Sequence, residues 1–199
     1  LLTPKISCDM VELYLKFLGK NKKHFPLHQN LVLYNSTVNF PIEYKMFGDS
    51  PREGCRLVIF LHKRADPSLE DPKTLNHKHW VDFKSSMVLN EGTLLAAPLA
   101  ISTAIDVWES YQVMMLLEVM ISKMIQHGAI NPNKVYIVGE ENSGRGAFRI
   151  ASKIPHRIAG VAGLNVPDEP LTFENLNNIA YVYQYRDKEG NVVTCKQNA

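Results

Sequence analysis

Three places in this chain of 199 residues carry side chains suited to chemistry. The first is Gly139-Glu140-Glu141-Asn142-Ser143-Gly144, which joins the apolar run Val135-Tyr136-Ile137-Val138 to a helix-forming segment, Gly144 to Lys153. A hydroxyl at such a strand-to-helix turn can form an acyl intermediate once an imidazole activates it, whereas a carboxylate suits attack on alkyl or glycosidic carbon. The second is His62-Lys63-Arg64, directly after Leu57-Val58-Ile59-Phe60-Leu61. Two adjacent cations there could hold an anion, or pair with Glu140 or Glu141 as a solvent-facing salt bridge of small worth. The third is His77-Lys78-His79 beside Trp80. An H-x-H pair binds metal only when further ligands join it, and no third ligand is signposted, so neither a metal site nor a cofactor is expected.

The elements that must position these residues follow from periodicity. Ser7 caps a short amphipathic helix with Val11, Tyr14, Leu15 and Leu18 on one face and Gly19 as its stop; Lys20, Lys22 and Lys23 read as a linker. Residues 1–25 therefore stand apart from a domain over 26–199. Asn30 to Tyr34 and Phe40 to Phe47 are predicted to form an antiparallel pair around the turn-prone Asn35-Ser36-Thr37. Arg56 to Leu61 is a continuous apolar run, the mark of a strand buried on both faces. Strands at Thr93 to Ala97, Val135 to Val138, Ile158 to Ala162 and Ile179 to Tyr183 then alternate with helices at Thr103 to His127 and Gly144 to Lys153, a βαβ pattern. Asn131-Pro132-Asn133 reads as a turn, and Arg186 to Asn191 as a polar turn with no helix after it.

Composition narrows the function classes. The chain is 45% hydrophobic and 21% charged, which is globular, and its net charge of +2 gives no specific nucleic-acid signal. The longest uncharged apolar runs, such as Val113 to Leu117 and Leu57 to Leu61, are five residues long, against the ~18 that a transmembrane segment needs. Cys8, Cys55 and Cys195 form no CxxC pair, which fits a reducing, intracellular setting, the cytoplasm or an organelle matrix such as the mitochondrion.

The run from Asn131 to Ala151, followed by Lys153-Ile154-Pro155-His156-Arg157-Ile158-Ala159, resembles the nucleophile-elbow region of α/β-hydrolases, particularly their esterase, depolymerase and predicted-peptidase branches. Leu57 to His62 likewise looks like the strand before the oxyanion loop, and the likeness spans roughly residues 30 to 187. It implies an α/β-hydrolase-like, mostly parallel sheet with an antiparallel N-terminal strand pair and flanking helices, C-terminally truncated. Gly139 matches the elbow's first glycine, so the nucleophile position falls on Glu141 and the second glycine on Ser143. A serine at 143 would need a two-residue shift, and reads as a helix-start residue satisfying a free N–H. Lys63 and Arg64 stand where the family carries glycines that bare the oxyanion-hole amides. The acid position falls on Lys188, with Asp187 one residue away, and the family's histidine lies after a further strand.

No catalytic residue is therefore expected, since loss of a triad serine alone costs ~10⁶ in kcat. The missing catalytic parts, with the amphipathic N-terminal helix as a docking surface, lead to the expectation of a catalytically inactive domain serving as a structural or accessory subunit among other protein subunits of a larger assembly. One alternative is a serine esterase or peptidase with a non-standard elbow or incomplete chain. Another is an anion or small-ligand binder that reuses the cleft through Lys63 and Arg64.

Overall fold

The computed structural model describes residues 28–33, 36–63, 91–98, 107–126, 128–167 and 175–197. The N-terminal helix, Arg64, the His77-Lys78-His79 pair and Cys8 lie outside these residues. The strands are β1 (His28–Leu33), β2 (Ser36–Phe47), β3 (Cys55–Leu61), β4 (Thr93–Pro98), β5 (Ile130–Glu140), β6 (Gly160–Val166), β7 (Ala180–Arg186) and β8 (Val192–Gln197). They form one sheet in the order β1-β2-β4-β3-β5-β6-β7-β8. Five central strands, β4 to β7 in that order, run parallel, and an antiparallel hairpin closes each side. The chain leaves β3 for β4 on one side and returns to β5 on the other, which places a topological switch point at the carboxyl ends of β3 and β5.

The mostly parallel sheet and the antiparallel N-terminal pair are as the sequence implies. Leu57, Ile59 and Leu61 point to one face of β3, and Val58 and Phe60 to the other; all are buried. Helix α1 (Tyr111–Gln126) packs Val113, Leu116, Leu117, Met120, Ile121 and Met124 into the larger core, and α2 (Asn142–Lys153) adds Ala147, Phe148, Ile150 and Ala151. Phe148 meets Tyr183 of β7 edge to face, ring centroids 4.8 Å apart. Val58, Phe60 and Leu95 form a second, smaller cluster on the opposite face. Among the described residues no helix is long and apolar enough to cross a membrane.

Four boundaries differ from expectation. Leu33 pairs with Ser36, so Ser36 and Thr37, read as turn, belong to β2, which begins earlier than the apolar stretch that marks it; Tyr34 and Asn35 lie outside the described residues. The helical region 103–127 divides into a 3-10 turn, Val107–Glu109, and α1; residues 103–106 and 127 lie outside the described residues. Asn131-Pro132-Asn133 lies inside β5 as an irregularity, with the Asn131 side-chain oxygen accepting from the Asn133 N–H at 2.9 Å. An Asx turn absorbs the proline there without ending the strand. Finally, the polar turn after β7 leads into β8, a strand the sequence reading left out, which folds back antiparallel.

Candidate functional site

The switch point is built from the ends of β3 and β5 and the first turn of α2. Close packing there requires glycine. A Cβ on Gly139 would collide with the backbone carbonyl of Ser143, one on Gly144 would come within 2.6 Å of Val166 Cγ2, and one on Gly146 would strike Trp108. The helix can thus turn back hard against the strand it leaves.

Glu141 occupies the apex of this turn alone, between the last residue of β5 and the first of α2, with φ 56° and ψ −127°. An L-residue with a long side chain rarely adopts that conformation, which costs ~1–3 kcal/mol and persists only where the surroundings enforce it. Two backbone bonds do so: the Glu141 N–H donates to the Leu164 carbonyl at 2.8 Å, and the Gly144 N–H donates to the Glu141 carbonyl at 2.9 Å. The Glu141 side chain projects outward, and its Oε1 meets Lys63 Nζ at 3.2 Å. Both partners are substantially exposed, 48% and 32%, so the pair contributes ~1 kcal/mol or less.

Ser143 faces the other way. It is 1% exposed, and its hydroxyl accepts from the Glu140 N–H at 3.0 Å while lying 2.8 Å from the Leu61 carbonyl and 2.6 Å from the Glu140 carbonyl. One hydroxyl therefore ties the end of β3 to the end of β5 beneath the turn.

His62 is buried, its Nδ1 2.8 Å from the Lys63 carbonyl and its ring edge-on to Trp108 at 5.1 Å. The Trp108 indole N–H donates to the His62 carbonyl at 3.0 Å. Glu109, next along the same 3-10 turn, faces Arg145 Nε at 3.8 Å and Arg149 Nε at 3.5 Å on α2. Sequence reading missed this brace of Trp108 and Glu109. The available signal was an aromatic beside an acid just before an amphipathic helix, too common to be diagnostic.

Asp187 follows β7 at the same carboxyl edge of the sheet, but its carboxylate serves its own turn. Oδ1 accepts from the Glu189 N–H at 2.9 Å and the Asn191 N–H at 2.8 Å, and Oδ2 from the Asn191 side-chain amide at 3.2 Å. The Asn191 backbone N–H, foremost among these donors, holds the carboxyl below its usual range. The structure thus brings Lys63 and Glu141 together, buries Ser143 beneath them and places Asp187 in a separate hairpin. Among the described residues no cluster of three or more His, Cys, Asp or Glu side chains is arranged to hold a metal ion.

This strand order, with the sharp strand-turn-helix at the switch point, is the α/β-hydrolase fold. A solved structure shares the fold. A thermostable esterase superposes with a TM-score of 0.56 at 16% identity, over 79% of this chain and 45% of its own. Lower in similarity are an acetyl xylan esterase from Aspergillus awamori (TM-score 0.44, 11% identity, 78% of this chain and 52% of that one) and esterase 2 of Thermogutta terrifontis, phosphorylated by paraoxon (0.43, 11%, 80% and 70%). The chain spans just under half the length of the thermostable esterase. No protein-family model matches the sequence, and neither does any curated protein.

Proposed function

We propose that this domain is a catalytically inactive member of the α/β-hydrolase fold that serves as a structural or accessory subunit of a protein assembly. The observation that carries the reading is the residue at the turn's apex: Glu141 has the strained backbone of an elbow nucleophile, yet its carboxylate is spent on an ion pair with Lys63. A carboxylate attacking an ester would yield an anhydride rather than the acyl-enzyme that a hydroxyl forms. Ser143 offers no substitute, because its hydroxyl is buried and committed to backbone groups at the ends of β3 and β5. Asp187 supports the same reading, since a carboxylate held by three donors of its own hairpin is poorly placed to orient a histidine. Lys63 lends little to the anion-binding alternative, because Glu141 neutralises it.

Two measurements test the proposal. Hydrolysis of short-chain nitrophenyl esters should equal the protein-free rate, and Ser143→Ala should leave it unchanged. Turnover abolished by Ser143→Ala would instead establish the serine-hydrolase alternative. Sedimentation of native extract should place the protein in a particle together with other proteins, and migration only as a free monomer or homodimer would refute the accessory-subunit role.

A further inference from the structure

We draw no further inference here: the strongest candidate, the side-chain cluster at the amino-terminal end of β3 where the Cys55 thiol lies 3.7 Å from Met46 Sδ and 3.3 Å from Ser50 Oγ, rests on a single cysteine whose neighbours are its own hydrogen-bond acceptors, and nothing among the described residues points to a metal or other ligand there.

Discussion

Glu141 and Ser143 sit two residues apart and have opposite fates. Glu141 bears backbone strain and faces solvent; Ser143 bears none and is sealed beneath it. Glycine adopts positive φ freely, so Glu141→Gly should relieve ~1–3 kcal/mol of strain, lose a surface ion pair worth ~1 kcal/mol or less, and leave unfolding free energy unchanged or raised by up to ~3 kcal/mol. Ser143→Ala should cost ~1–3 kcal/mol, because it leaves the Glu140 N–H without its partner in a buried place. Urea melts of the two variants separate these outcomes. The sequence aligns Glu141 with the apex through Gly139, but it cannot give the positive φ or the Lys63 contact, which arise from backbone bonds to Leu164 and from the loop after β3.

At the scale of elements, what was legible is what periodicity encodes. Leu57 to Leu61 reads as a strand buried on both faces because every residue is apolar, and α1 reads as a helix because Val113, Leu116, Leu117, Met120 and Ile121 repeat on one side. β8 was not legible, since Val192-Val193-Thr194-Cys195-Lys196-Gln197 mixes polar and apolar residues on both faces, as an edge strand does. Its hairpin hangs on Asp187. A carboxyl with a depressed pKa adds stability above its unfolded value and loses it as pH falls through the folded one. The hairpin should thus be fully held near neutrality, and β8 amide exchange, referenced to that of β5, should accelerate as the solution is acidified past the ordinary aspartate range. Asp187→Ala should raise that relative exchange already at neutral pH and remove its acid dependence. The elbow has its own sensitive point: Gly139→Ala drives a methyl into the Ser143 carbonyl, backbone that cannot yield, and should destabilise the fold by ~3 kcal/mol or more.

For the whole molecule, an α/β-hydrolase sheet is kept while the groups at its switch point are tied to one another. The Trp108 and Glu109 brace, the Ser143 tether and the Lys63–Glu141 pair all hold β3, β5 and α2 in place, which suits a rigid body more than a turning-over site. Catalytic silence is tested most directly by a serine-directed fluorophosphonate probe. The native protein should show no labelling above that of its heat-denatured form, with the Ser143 peptide unmodified by mass spectrometry. Stoichiometric phosphonylation of Ser143 in the folded protein would show instead a serine active in acyl transfer.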